Sequence, residues 1–159
     1  MLEPYGGEIL GLSVGQTTLL TALWAAGTLA GFGLAAKTLG RGYDTCRLAA
    51  WGLLCGVVAF CAVVFSETFS SIWLFRAGTA LIGFGGGMFA VGTLLAAMNF
   101  AENAENGFVV GAWSAAQATA IGLALGGGGV IKDVVNAAAM SGALGEALAR
   151  PAAGYMVVY

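Results

Sequence analysis

The sequence predicts an all-α membrane protein, and three observations carry that expectation. Charged residues make up only 9% of the chain and hydrophobic ones 59%, with a mean hydropathy of +0.89, whereas a water-soluble domain carries roughly one quarter charged residues. The apolar residues gather into four long stretches separated by short polar loops, and a helix needs about 20 such residues to cross the hydrocarbon core of a bilayer. Glycine, at 27 residues, is concentrated inside those stretches. In water so much glycine would weaken a helix. A bilayer gives the backbone no competing partner, so the segment stays helical and glycine instead lets a neighbouring helix or flat ligand approach closely.

The elements follow in order. Residues 2–12 are too short to span and carry Pro4, Gly6, Gly7 and Gly11, so they are expected to form a stub: the last turns of a spanning helix or a re-entrant piece. Glu3 and Glu8 are costly in lipid unless they face protein or water, which makes them candidate polar contacts on an interior or interfacial side. They stand where a secretory signal would carry basic residues, and the chain reads as though it begins inside something longer. Ser13 as N-cap with Gln16 three residues on forms a capping-box pattern and starts the first full span, at about residues 14–36. Gly27, Gly31 and Gly33 put small residues on one face of that span.

The stretch KTLGRGYDTCR is a tight loop and the one place where positive charge clusters, with Lys37, Arg41 and Arg47 against Asp44. Counting basic residues does not orient the chain, because these three are balanced by Arg76, Lys132 and Arg150 on the other side. A second span is expected at residues 48–65, with Trp51 as an interfacial aromatic near its loop end. After the linker SETFSS comes the most glycine-rich span, residues 72–98, anchored by Trp73 and interrupted by Gly78, Gly83, Gly85, Gly86, Gly87 and Gly92. Arg76, a turn inside it, has two readings: a side chain snorkelling to the headgroups, or an interior charge paired with a carboxylate or ligand.

The acidic loop NFAENAEN returns the chain to a fourth span at residues 108–131, which holds small-xxx-small pairs at Gly107 and Gly111 and at Gly122 and Gly126. Gln117 within it is expected to face the bundle, since an unpaired amide in lipid is costly. Residues 134–149 are too polar for a span and read as a short interfacial helix. Pro151 and Gly154 break it before a new apolar run begins at Tyr155, as if a further span followed.

Composition and motifs exclude several classes of function. No basic run exists to neutralise phosphates, so nucleic acid is not an expected partner. Cys46, Cys55 and Cys61 form no CxxC pair and read as small packing residues rather than a metal or disulfide framework. The absence of histidine removes the commonest general base and a common axial ligand for macrocyclic metals. The run GFGGGMFAVG lies inside an apolar span with no GKS or GKT after it, so it is not a phosphate cradle. No paired carboxylates, nucleophile elbow or metal-ligand cluster stands out, and neither an enzyme nor a metal site is expected.

Gly33, Lys37, Gly40, Arg41 and Gly42 resemble the loop signature of major facilitator transporters, with Lys37 in place of the usual acidic residue. More specifically, LEPYGGEILGLSVGQTTLLTALWAAGTL at residues 2–29, IGFGGGMFAVGTL at 82–94, GAWSAAQATAIGLALGGG at 111–128 and GYMVVY at 154–159 resemble the second half of the PucC/LhaA light-harvesting assembly factors, a branch of that superfamily. The resemblance implies a major-facilitator-like half-bundle: four full spans, partial helices at both ends, a cytoplasmic loop at Lys37–Arg47, and other helices completing the bundle. It places the protein in the photosynthetic inner membrane of purple bacteria as a multi-pass chain, either half-length or part of a longer one.

The role it implies is non-enzymatic: helping antenna polypeptides insert and delivering bacteriochlorophyll, with carotenoid as a second candidate pigment and the reaction centre as a further partner. The candidate faces for a pigment or an antenna helix are Gly27, Gly31 and Gly33; Gly83, Gly85, Gly86 and Gly87; and Gly122 and Gly126. Magnesium would be ligated there by water, a backbone carbonyl or Gln117. The alternatives are that these glycines only pack the bundle against itself, that the chain belongs to a small-molecule transporter, or that it is a permanent structural subunit of an antenna complex.

Overall fold

A computed structural model describes Gly7 and residues 13–69, 71–101, 106–141 and 152–158. The order is α1 (Val14–Leu39), α2 (Thr45–Thr68), α3 (Ile72–Phe100), α4 (Asn106–Met140) and α5 (Ala152–Val158). There is no strand among the described residues. The first four helices are each long and apolar enough to cross a membrane, so the chain is a multi-pass all-α membrane protein.

Local chemistry sets the helix ends. At the start of α1 the Ser13 N–H donates to Gln16 Oε1 at 3.0 Å, the reach-back half of the capping box. The α1–α2 loop is shorter than the polar composition suggests, because Lys37 to Leu39 remain helical and Thr45 already begins α2. Gly42 supplies the positive φ, 81°, that turns the chain there. Asp44 then caps α2, its Oδ1 accepting the Arg47 N–H at 2.8 Å. At α3 the Ser71 hydroxyl accepts the Leu74 N–H at 3.3 Å.

The largest departure from expectation is at α4. The separate interfacial helix expected at residues 134–149 does not begin after Lys132. Its described part, through Met140, continues α4, while residues 142–149 lie outside the described set. The charged pair that suggested a break is accommodated within the helix, Lys132 Nζ lying 3.4 Å from Asp133 Oδ1 and 5.0 Å from the centroid of the Tyr155 ring. At 1.5 Å per residue the 35-residue helix is about 52 Å long, well beyond the hydrocarbon core.

α3 lies between α1 and α2. It runs parallel to α1, with Gly83 against Trp24 and Gly87 against Thr28, and antiparallel to α2, with Gly78 against Val63, Gly85 against Gly52 and Gly92 against Ala49. Near the α1–α2 loop, Ala35, Leu48 and Met88 form a buried cluster covered by Leu39, Phe84 and Val91. α4 touches α3 lightly, and α5 folds against the far end of α4, where the Gly154 N–H donates to Asn136 Oδ1 at 2.9 Å.

Candidate interaction surfaces

The glycines of α3 divide between two seams. Successive residues of a helix turn by about 100°, which places Gly83 and Gly85 about 200° apart. Gly83 and Gly87 meet α1. A methyl group on Gly83 would overlap the Trp24 carbonyl oxygen, and one on Gly87 would lie 2.6 Å from the Thr28 oxygen. α1 reciprocates, since methyl groups on Gly27 and Gly31 would overlap the carbonyl oxygens of Ala80 and Phe84. On the opposite side Gly78, Gly85 and Gly92, seven residues apart, meet α2. A methyl on Gly85 would lie 2.6 Å from the Gly52 oxygen, and one on Gly92 2.8 Å from the Ala49 nitrogen. Both seams bring backbone close to backbone, with the Val63 side chain nearest at Gly78, the packing that small residues permit in membranes.

Five of the nine candidate glycines, Gly27, Gly31, Gly83, Gly85 and Gly87, therefore pack helices of this chain against each other. The other four, Gly33, Gly86, Gly122 and Gly126, have nothing within 4 Å of where a Cβ would stand. Gly86 opens into an apolar hollow of about 270 Å³ between α2 and α3, floored by Gly52, Gly56 and Gly85 and walled by Phe60 and Phe89. It adjoins a second hollow of about 310 Å³ along α2, and the two share Val57 and Phe60. No side-chain nitrogen or oxygen lines either one.

α4 has two faces of different character. Val109 is buried, Trp113 and Gln117 are half-buried, and all three fall on one side at intervals of four. Trp113 Nε1–H donates to Thr93 Oγ1 of α3 at 3.2 Å. By helical rotation Gly107, Gly111, Gly122 and Gly126 lie on the opposite side, and each is open. Thr93 and Gly86 are about 20° apart around α3, so α4 attaches on the grooved side of α3 while lining none of the groove.

The polar candidates are dispersed. Arg76 is half-buried, its guanidinium carbon 5.4 Å from the Trp73 ring centroid, and its Nε has no hydrogen-bond partner among the described residues. The stacking beside an exposed Trp73 suits a side chain reaching to the headgroups, and the buried, unpartnered Nε suits an interior charge, so both readings of Arg76 stand. Lys37 and Arg41 are exposed on either side of Gly40. Glu3 and Glu8 lie outside the described residues, which contain no group of three acidic, cysteine or histidine residues placed to hold a metal ion. Gly52, Gly56, Gly78 and Gly92 complete the seams and the groove but were not among the candidates. The seven-residue spacing of Gly78, Gly85 and Gly92 was the available signal for two of them.

Comparison with known proteins gives these surfaces a context. The family described as PUCC protein matches residues 1–159. The chain is 54% identical over its whole length to an "uncharacterized protein in puhA-bchM intergenic region" of Rhodobacter capsulatus, covering 33% of that protein. It is 47% identical over 86% of its length to Protein PucC of Cereibacter sphaeroides, covering 30%, and 46% identical over 95% to Protein PucC of Rhodobacter capsulatus, covering 32%. The chain thus spans about a third of the length of these relatives. No solved structure matches it.

Proposed function

The chain belongs to the PucC protein family, and on that premise we propose that it acts as a non-enzymatic assembly factor for bacterial light-harvesting complexes, holding an antenna polypeptide in the membrane while pigment is delivered. The observation that supports this reading is the open glycine face of α4. Gly107, Gly111, Gly122 and Gly126 point away from α3 and meet nothing, and a face of small residues suits a single transmembrane helix docking closely in lipid.

Pigment fits less of the molecule than the glycine content suggests. Where α3 meets α1 at Gly83 and Gly87, and α2 at Gly78, Gly85 and Gly92, the helices are too close for a flat ring to enter. The hollow beside Gly86 suits a hydrocarbon tail or polyene, its lining offering no side-chain ligand to magnesium. Gln117, the side-chain oxygen among the candidates, is half-buried on the inner face of α4 and lies outside that hollow.

The test is recovery of small antenna polypeptides and bacteriochlorophyll absorbance with the tagged full chain from a phototrophic host. Replacing Gly122 and Gly126 by leucine should reduce antenna recovery by roughly fivefold to a hundredfold, the effect of losing about 1–3 kcal/mol of close packing, with little change in the melting of the protein itself. Absence of antenna polypeptides from the native preparation, or their undiminished recovery with the double variant, would overturn the reading.

A further inference from the structure

The α1–α2 loop carries a surface that the assembly reading does not use. In a chain whose overall charge is −2, it gathers Lys37, Arg41 and Arg47 within eleven residues against one carboxylate, Asp44. That carboxylate is engaged, since its Oδ1 accepts the Arg47 N–H and caps α2. All three cationic side chains are exposed, and among the described residues none of them is in an ion pair.

The surrounding residues set the depth of the loop. Arg47 heads a stripe on the outer face of α2 that continues through Trp51, Leu54 and Val58, which are 55%, 54% and 60% exposed. Trp51 Nε1–H donates to the Tyr43 hydroxyl at 3.1 Å, so two amphipathic rings are tied together directly below the arginine. Lys37 likewise heads an outward stripe on α1 that includes Leu34 and Leu29. Each stripe passes from hydrocarbon contact to cation within two or three turns, and in α2 an aromatic pair marks the crossing. That is the order of a bilayer from its acyl chains to its headgroups.

The geometry points to an anionic phospholipid site: Lys37, Arg41 and Arg47 together hold the phosphate groups of acidic lipids at the loop end of the bundle, and Trp51 with Tyr43 fixes the depth at which they do so. An acidic protein segment would find the same charge, but it would have no need of the apolar stripes leading up to Lys37 and Arg47 or of the aromatic pair between them and the hydrocarbon. The lipid is the occupant whose own structure repeats both parts of the site. A juxtamembrane basic residue attracts anionic lipid by roughly fivefold in partition, and the attraction is screened by salt.

The experiment uses the full chain in nanodiscs of phosphatidylcholine with a minor fraction of phosphatidylglycerol, followed by native mass spectrometry of the lipids retained on detergent exchange. The native chain should retain phosphatidylglycerol in clear preference to phosphatidylcholine, less so as salt is raised, and inorganic phosphate at the same ionic strength should displace no more than chloride does. Lys37→Gln, Arg41→Gln and Arg47→Gln should each lower the preference roughly fivefold, and the triple variant on the order of a hundredfold. Lys132→Gln, at the far end of α4, should leave it unchanged. Circular dichroism establishes that each variant is folded, and the salt series on the native chain tests the site without any substitution. Equal retention of the two lipids by the native chain, or an undiminished preference in the triple variant, overturns the inference. Displacement by inorganic phosphate beyond the effect of chloride would reassign the site to a free anion and overturn it as a lipid site.

Discussion

Alanine at Gly85 should cost stability, whereas alanine at Gly126 should not. Both glycines lie within transmembrane helices, so the intrinsic gain of alanine, at most about 1 kcal/mol, is common to the two. What differs is the space in front of the new methyl group. At Gly85 it would stand 2.6 Å from the Gly52 oxygen, and ordinary contact begins at 3.4 Å, so the α2–α3 seam has to open by about 0.8 Å. A gap of that size forfeits between a quarter and a half of the dispersion well for the atoms lining it. The atoms nearest that methyl are the Gly52 oxygen, the Cys55 Cβ and the Gly56 nitrogen, none of which a side-chain rotation can move away. Overpacking of this kind costs about 1–3 kcal/mol, so Gly85→Ala should destabilise by about 1–2 kcal/mol after the propensity gain. Gly126→Ala meets nothing within 4 Å and should be neutral or slightly stabilising. Thermal unfolding of the purified chain in one detergent, followed by circular dichroism, measures both. Equal melting of the two variants, or a more stable Gly85→Ala protein, would refute the close backbone contact on which the description of α3 rests.

Two further outcomes follow from the hydrogen bonds. The Trp113–Thr93 bond is the polar tie between α3 and α4, so a Trp113→Phe and Thr93→Val double-mutant cycle should give a coupling of about 0.6 kcal/mol, in the range of interhelical bonds in membranes; zero coupling would show that the two residues do not act as a pair. Asp44→Ala removes the cap of α2 and should cost about 1 kcal/mol, seen as faster amide exchange at Leu48 and its neighbours with the middle of the helix unchanged.

Features governed by short range were legible in the sequence. Ser13 and Gln16 are three residues apart and their cap forms as the pattern implies. The four spans follow from apolar length alone, which is why they survive even where their ends shift. The ends shift because hydropathy marks the hydrocarbon core and not the helix. Thr45 to Arg47 are helical beneath the Asp44 cap, and Lys132 and Asp133 stay helical as a neighbouring charged pair beside Tyr155. The glycines show the limit of local reading most sharply. Gly83, Gly85 and Gly86 lie within four residues of one another and look alike in sequence, yet one faces α1, one faces α2 and one opens into the groove. Their fates depend on how three helices rotate about one another, and the sequence carries that only indirectly, through the seven-residue spacing of Gly78, Gly85 and Gly92. The family resemblance drawn from residues 2–29, 82–94, 111–128 and 154–159 agrees with the match of the PucC family over the whole chain.

The opposed seams of α3 bear on how anything reaches this protein. With α1 on one flank and α2 on the other, the three helices stand side by side, and α4, tied through Trp113 to Thr93, lies against one face of the row. The hollow beside Gly86 is cut into that same face and is lined by apolar side chains and glycine backbone. It presents neither a charge nor a side-chain hydrogen-bonding group, so its surface matches an apolar neighbour and offers nothing to a charged one.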